Sequence, residues 1–149
     1  ARWQPDEVLD YPLPGRIPGR GALWARFGHG ADALVVVVAH LSLGAVARAR
    51  QVAFLAELLG DHPNAVLMGD LNTPSQAKEL DLLYTRTSLV RTHDAPATFP
   101  SWRPTRSIDH IIVSASIKVE KRWALPHPVS DHLPIAARVS FPAALSRIA

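Results

Sequence analysis

The sequence feature that most constrains the fold is the apolar run Ala33–Ala39, in which positions 35–38 are four consecutive valines. Valine favours extended backbone, and a run without polar residues predicts a strand that is covered on both faces. The run is far shorter than the roughly 20 residues that cross a bilayer, so no transmembrane segment is expected. Upstream, Ala22–Phe27 is a second predicted strand, and Gly28-His29-Gly30 predicts the turn of a hairpin between the two.

From Ala45 to Leu59 the pattern is typical of a helix. Apolar residues recur there at three- and four-residue steps, at Val46, Ala49, Val52, Ala53, Leu55 and Leu59. Gly60 predicts the end of this helix. Further strands are predicted at 65–68, 108–113, 117–125 and 135–139, and a second helix is predicted from an N-cap at Ser75 to about Leu83. Alternating strands and helices with a hairpin predict an α/β fold with a mixed β-sheet and flanking helices.

Residues 1–21 are rich in Pro, Gly and Arg and have little apolar period, which predicts an irregular arm. Residues 22–149 then form one domain, because 149 residues suffice for one core and no linker divides the chain. No signal-peptide pattern is present, which favours a cytoplasmic location. Residue 1 is Ala and not Met, as in a processed or partial product.

The absence of cysteine excludes a disulfide framework, a thiolate zinc site and a cysteine nucleophile. A metal in this chain must therefore be held by oxygen and imidazole ligands, which suits Mg²⁺ or Mn²⁺. The formal net charge of +3 favours polyanionic partners such as nucleic acid, phosphorylated small molecules or lipid head groups.

Polar residues gather where the predicted strands begin or end. His40 follows the valine strand, Asp70 and Asn72 follow the strand at 65–68, and Asp109 and Asp131-His132 precede later strands. Strand ends meet at the rim of a sheet, so these groups would converge on one metal and phosphate site. Asp70 and Asn72, two apart in extended backbone, would face the same side.

Each of these signals also has a structural interpretation. Asp70 and Asn72 stand among common turn formers, His40 could cap a strand, and Asp131-His132 could be a surface turn before Pro134. Asp109 with His110 is open in the same way. Trp102, Arg103 and Arg106 could bind substrate or pin their loop. Other enzyme classes lack support, since the chain has no nucleophile elbow, phosphate-binding Gly-rich loop or His-Glu-x-x-His pair.

The order of the motifs resembles the C-terminal series of the endonuclease/exonuclease/phosphatase superfamily. The series is strand–His40-Leu41, Gly69-Asp70-Leu71-Asn72, Ser107-Ile108-Asp109-His110-Ile111 and Ser130-Asp131-His132-Leu133-Pro134, and the match runs from about Gly21 to Val139. Arg50-Gln51, Thr98-Phe99-Pro100-Ser101 and Val129-Ser130-Asp131-His132 look especially like uncharacterised bacterial hydrolases of that superfamily.

The resemblance implies a role for each residue. Asp70 would orient or deprotonate the attacking water near the metal, and Asn72 would be its amide partner. His132 would stand over the scissile phosphate, oriented by Asp109. Asp131 would belong to the metal site together with Asp70, Asn72 and His132, and His40 would be a second active-site histidine. The implied activity is hydrolysis of a phosphate ester in nucleic acid, a phospholipid head group or a small phosphorylated molecule, assisted by Mg²⁺ or Mn²⁺.

The resemblance also implies a four-layer α/β/β/α sandwich, whose first half supplies an asparagine and a metal-binding glutamate. Nothing before Gly21 resembles those segments, so residues 22–149 are expected to form a partial domain with an incomplete site. The uncovered sheet face would then favour a homo-oligomer. Two alternatives follow: a catalytically silent module that binds phosphate or nucleic acid, and a self-associating half-domain.

Overall fold

The computed structural model describes residues 3–16, 18–60 and 62–142, and its centre is a five-stranded mixed sheet. The strands follow the order β1-β2-β3-β4-β5, and only the β3–β4 pair is parallel. Two further strands, β6 and β7, form a separate antiparallel hairpin. The bounds are β1 Glu7–Pro12, β2 Gly21–Phe27, β3 Leu34–Ala39, β4 Asn64–Asp70, β5 Asp109–Val113, β6 Lys118–Ala124 and β7 Ile135–Ser140. The predicted α/β class with a mixed sheet is confirmed.

Helix α1, Ala45–Leu59, makes the crossover between the parallel strands β3 and β4 and covers one face of the sheet. It ends at Gly60, whose φ of 47° falls in the region that favours glycine. Val46, which the apolar period assigned to the buried face, is 73% exposed. The core beneath α1 includes fully buried Val35, Val37, Val52, Leu55, Leu59, Leu67 and Ile112. Each such side chain contributes roughly 1.5–3 kcal/mol by burial.

The predicted helix after Ser75 begins later than expected. A 3-10 turn spans Lys78–Leu80 and helix α2 spans Asp81–Arg86. Ser75 does not cap a helix: its Oγ donates a 2.6 Å hydrogen bond to the carbonyl of Thr92. The sequence alone could not distinguish these two uses of a serine hydroxyl.

The prediction of an irregular arm over residues 1–21 is wrong for residues 7–12, which form β1. This strand pairs with β2 along its whole length, from Glu7 opposite Arg26 to Pro12 opposite Gly21. All but one of its residues are exposed, so no alternation of apolar and polar side chains marks it. Residues 1, 2 and 17 of the predicted arm, and residues 143–149 of the C-terminal tail, lie outside the described residues.

The valine strand is fully covered on one face only, which corrects the expectation of two covered faces. Val35 and Val37 are completely buried, whereas Val38 is 41% exposed. On that outer face the β6–β7 hairpin covers one end of the sheet, where a second cluster of apolar side chains forms around Val66 and Val113.

Within the described ranges, no helix combines the length and apolar character needed to cross a membrane; α1, the longest, has 15 residues.

Tyr84 on α2 provides a test of core packing. Its hydroxyl is buried without a hydrogen-bond partner among the described residues, and burial raises the pKa of the phenol. We expect Tyr84→Phe to leave the free energy of unfolding unchanged or to raise it by up to about 1 kcal/mol, because a desolvated hydroxyl is removed. Because the folded-state pKa lies above the unfolded value, wild-type stability should fall as pH rises past 10, and the variant should lose less.

Urea denaturation at pH 7.5 and pH 10.5 measures both effects. A loss of more than 1 kcal/mol at pH 7.5 would mean that the hydroxyl does have a partner.

Candidate active site

The strands that carry the polar motifs end at one edge of the sheet. Because β3 and β4 are parallel, His40 after β3 and Asp70 at the end of β4 lie at the same edge. Strand β5 runs antiparallel to β4 and pairs its first residue, Asp109, with Asp70. His132 reaches this edge from the connection between β6 and β7. The convergence that the sequence interpretation assumed is therefore present for these four residues.

The sequence predicts that Asp70 and Asn72 face the same side because the backbone between them is extended. In the structure they lie together because the backbone makes a tight turn. Asn72 has a φ of 52°, and its backbone N–H donates to Asp70 Oδ1 over 2.8 Å. The side-chain Nδ2 of Asn72 donates to the Leu41 carbonyl at 2.8 Å and to Asp70 Oδ2 at 3.3 Å. The turn thus locks the carboxylate and the amide into one unit beside β3.

Asp109 and His132 form a hydrogen-bonded pair in which Asp109 Oδ2 is 2.8 Å from His132 Nδ1. The same oxygen accepts a hydrogen bond from the hydroxyl of Thr98. Burial acts to lower the pKa of His132, but the hydrogen bond to Asp109 and the charges of Asp109, Asp70 and Asp131 raise it above its ordinary value. The carboxylate therefore both orients the ring and favours its charged form.

His40 approaches Asp70 from the other side. Its Nε2 lies 3.2 Å from Asp70 Oδ2, and His132 Nε2 lies 4.0 Å from the same oxygen. Burial, followed by the charge of Arg20, lowers the pKa of His40 below its ordinary value. One carboxylate oxygen thus faces two histidines, of which one favours the neutral form and the other the charged form.

His110 is not part of this group. The sequence leaves open whether Asp109 and His110 have a functional or a structural role, and the structure gives His110 a structural one. It is 1% exposed, and its Nε2 donates to the Thr73 carbonyl at 2.8 Å. Burial lowers its pKa. Neighbouring residues in a strand point to opposite faces, so Asp109 faces the cleft while His110 holds the Asp70–Thr73 turn from inside.

Two loops hold each other and carry His132. Ser101 N–H donates to the Asp131 carbonyl at 2.7 Å, and Leu133 N–H donates to the Thr98 carbonyl at 2.9 Å. The Ser101 hydroxyl donates to the Ser130 carbonyl at 2.6 Å. The ring of Phe99 lies against that of His132, with centroids 4.8 Å apart. The loop at 98–106 thus positions the histidine loop at 129–133.

The groups that could hold a metal differ in part from the predicted set. Ligand atoms of Asp70, Asp109 and His132 all lie within 4.8 Å of one another. Asp109, predicted only to orient the histidine, is in this group, whereas Asp131 lines the cleft without belonging to it. Carboxylate oxygens are the donors that Mg²⁺ and Mn²⁺ prefer, so Asp70 and Asp109 fit a divalent cation.

These residues line an open cleft of about 460 Å³. Six residues that line the cleft are not among the predicted site residues: Arg20, Leu43, Phe99, Arg106, Ile108 and Ser130. The sequence leaves Arg106 open as a substrate ligand, whereas it places Arg20 in the segment predicted to be an irregular arm. Arg20 reaches the cleft because β2, which begins at the next residue, pairs with β3.

Comparison with solved structures supports the fold. A functionally unknown conserved protein from Enterococcus faecalis matches 93% of this chain and 67% of its own, with 22% identity and a TM-score of 0.74. Mannosyl-6-phosphatase from Bacteroides thetaiotaomicron gives the same coverages and identity with a TM-score of 0.73. TDP2 from D. rerio, complexed with single strand DNA product, matches 90% of this chain and 67% of its own, with 14% identity and a TM-score of 0.69.

This chain thus spans about two thirds of the length of these structures. The comparison with curated proteins gave no significant match. The family model of the endonuclease/exonuclease/phosphatase family matches residues 2–132, which is most of the chain. With the fold and the cleft, this match establishes that the chain belongs to the endonuclease/exonuclease/phosphatase family.

Proposed function

We propose that this chain carries the larger part of a metal-dependent phosphoesterase site. The observation that supports the proposal is the cluster of Asp70, Asp109 and His132 in the cleft, with ligand atoms within 4.8 Å. The family is generally hydrolytic, and structurally similar proteins include a mannosyl-6-phosphatase and a protein complexed with single strand DNA product. The substrate class is therefore a phosphate ester.

In the proposed reaction, water attacks phosphorus, the ester P–O bond breaks and a proton passes to the leaving oxygen. Asp70 accepts a hydrogen bond from the attacking water and orients it, and Asn72 holds Asp70 in place through their shared turn. His132, charged and fixed by Asp109, donates to a phosphoryl oxygen and offsets its growing negative charge. His40, kept neutral, can exchange a proton at Nε2 on the opposite side of Asp70. A bound Mg²⁺ or Mn²⁺, held by the carboxylates of Asp70 and Asp109, would add Lewis-acid stabilisation of the phosphoryl oxygens.

The proposal includes a glutamate ligand from outside residues 22–149. Of the four glutamates, those at 7, 79 and 120 bond to Arg26, Arg48 and Ser140 in that order, and none of the four lines the cleft that the described residues form. A site with two carboxylates leaves positions for a further ligand, since Mg²⁺ prefers six. Residues 22–149 would then form a partial domain, as the sequence predicts.

Metal binding tests the cluster directly. We expect Asp70→Asn to weaken Mn²⁺ affinity, measured by calorimetry, by at least about tenfold, because an anionic ligand becomes neutral while the amide keeps an oxygen for the turn to Asn72. Hydrolysis of bis-p-nitrophenyl phosphate, abasic DNA and inositol phosphates, assayed on this chain and on the product of its complete gene, should stop in EDTA and return with Mg²⁺ or Mn²⁺.

Asp32→Asn removes an equal charge on an exposed 3-10 turn and serves as the control. Equal Mn²⁺ affinities for the wild type and the Asp70 variant would contradict the proposed cluster.

A second candidate is self-association of a half-domain through the outer sheet face. Leu23 and Val38 are partners in the β2–β3 register and are 46% and 41% exposed. An apolar pair exposed on an open sheet favours contact with a second copy. Light scattering that finds a stable monomer at high protein concentration would exclude this candidate.

A third candidate is a catalytically silent module that binds polyanions. Salt-dependent binding of DNA without turnover would distinguish this module from the phosphoesterase.

A further inference from the structure

Six arginines of the structure are either paired with a carboxylate or line the cleft. Arg26, Arg48, Arg91 and Arg122 each bond to a carboxylate, at distances from 2.5 to 3.1 Å. Arg20 and Arg106 line the cleft, and neither has a carboxylate within 4.0 Å among the described residues. Guanidinium groups inside proteins are normally satisfied by acceptors, so unpaired ones in a cleft are candidates for binding an anionic ligand.

Of these two, Arg20 is the less satisfied. The guanidinium of Arg106 lies over the ring of Phe99 at 5.4 Å from its centroid, so it has an aromatic partner. Arg20 Nη1 is buried and has no hydrogen-bond partner within the described part of the chain. A donor that is shielded from water and unpaired is costly, so the Arg20 guanidinium gains when it turns this group toward a strong acceptor in the cleft.

The backbone holds Arg20 at the catalytic edge. It immediately precedes β2, and the pairing of Ala22 with Ala39 brings it to the end of β3 that is followed by His40. Its carbonyl accepts a 2.9 Å hydrogen bond from Leu13 N–H, which ties the connection between β1 and β2. The guanidinium is close enough for its charge to act on His40.

Arg20 lies on the His40 side of the cleft, because its charge acts on His40, whereas the charges that act on His132 are those of Asp109, Asp70 and Asp131. His40 contacts Asp70 at 3.2 Å, and Asp70 in turn faces His132 and Asp109. A phosphate at the cluster would therefore meet Asp70 and His132, whereas a phosphate at Arg20 would lie on the His40 side of Asp70. One anionic group would therefore bind at the metal cluster and a second one at Arg20.

We propose that Arg20 binds a second, non-reacting phosphate of the substrate, so that the preferred substrates carry at least two phosphates. The inference rests on the proposed phosphoesterase function and narrows its substrate class. A guanidinium matches phosphate with two parallel N–H donors, which gives both charge and geometry. The second phosphate belongs either to a nucleic-acid backbone or to a small molecule phosphorylated twice, and both present the same group to Arg20.

Binding without turnover tests the inference. In EDTA, we compare by calorimetry the affinities for thymidine 3′,5′-bisphosphate and thymidine 5′-phosphate, and for inositol 1,4-bisphosphate and inositol 1-phosphate. In the wild type the second phosphate should tighten binding by about tenfold or more in at least one pair, as expected of a charge-assisted hydrogen bond. The pair that responds identifies the source of the phosphate.

Arg20→Gln should reduce that ratio to near one, and Arg20→Lys should keep part of it, since the charge remains but the paired donors are lost. Arg86→Gln, at the exposed end of α2, removes the same charge outside the cleft and should keep the full ratio. Circular dichroism spectra and melting temperatures verify that each variant is folded. If Arg20→Gln is not folded, the ratio measured for Arg20→Lys decides the test.

A wild-type ratio near one in both pairs, or a ratio unchanged in both Arg20 variants, would overturn the inference. Kinetics separates it from the proposed function. With Mg²⁺ present, thymidine 5′-(p-nitrophenyl phosphate) with and without a 3′-phosphate should differ in KM and not in kcat. Turnover without this difference refutes only the role of Arg20, whereas an Arg20-dependent ratio in EDTA without any metal-dependent turnover refutes only the phosphoesterase.

Discussion

Replacing His132 with Gln should lower kcat for phosphate-ester hydrolysis by about 100- to 1,000-fold, the range for loss of a positioned donor to a developing oxyanion. The ring is the only group in the cleft, within the described residues, that contacts both carboxylates of the metal cluster: its Nδ1 lies 2.8 Å from Asp109 and its Nε2 lies 4.0 Å from Asp70. Glutamine keeps polarity and most of the volume but cannot carry the positive charge that Asp109 stabilises. KM should change much less than kcat if that charge acts mainly in the transition state.

The control is His127→Gln, an exposed histidine in the same connection between β6 and β7. It should retain wild-type kcat. A second variant, Asp109→Asn, assayed at saturating Mg²⁺ because Asp109 is also a proposed metal ligand, should lower kcat less than His132→Gln does: the ring keeps a hydrogen-bonding neighbour but loses the charge that orients it. The double variant should be little worse than His132→Gln alone, since the two residues act as one unit. Wild-type kcat in His132→Gln would remove the histidine from the proposed site.

Gly69→Ala should cost more than about 3 kcal/mol of unfolding free energy, enough to leave many domains of this size partly unfolded. A Cβ on Gly69 would lie 2.0 Å from the carbonyl oxygen of Ala39, well inside van der Waals contact. The residue also has a φ of 132°, which side chains of the L configuration rarely adopt. The obstacle is backbone of the neighbouring strand β3, which cannot rotate away as a side chain could.

Gly30→Ala is a matched comparison. Gly30 also has a positive φ, 65°, but nothing lies within 4 Å of its added Cβ. It should therefore lose only the conformational cost, about 1 kcal/mol. Urea denaturation measures both variants. Equal losses at the two positions would show that the close approach of β4 to β3 does not matter for stability.

Much of the fold could be predicted because its buried elements carry strong periodic signals. The valine strand, the strand at 65–68 and helix α1 appear as long apolar patterns, and Gly60 marks the helix end. Strand β1 could not be found in this way, because it is held by backbone hydrogen bonds at an exposed edge and its side chains face water. The exposure of the outer face of β3 could not be predicted either, because it depends on how far the β6–β7 hairpin extends over the sheet.

The candidate site was predictable in its chain order but not in its geometry. Asp70, Asp109 and His132 were named because each adjoins a strand end, and the structure brings them together. The turn that places Asn72 beside Asp70 depends on a positive φ at a non-glycine residue, for which the sequence offers only the general tolerance of asparagine. Arg20 was missed because its position depends on pairing between distant segments.

The bonds between the loops at 98–106 and 129–133 bear on how specificity could diverge in such a scaffold. Ser101 and Thr98 hold the backbone on both sides of His132, and Phe99 packs on its ring. A substitution that reshapes the first loop to admit a new leaving group therefore also shifts the imidazole of His132. Grafting either segment alone from a homologue should yield inactive hybrids, and only joint transplantation of both should transfer substrate preference with turnover intact.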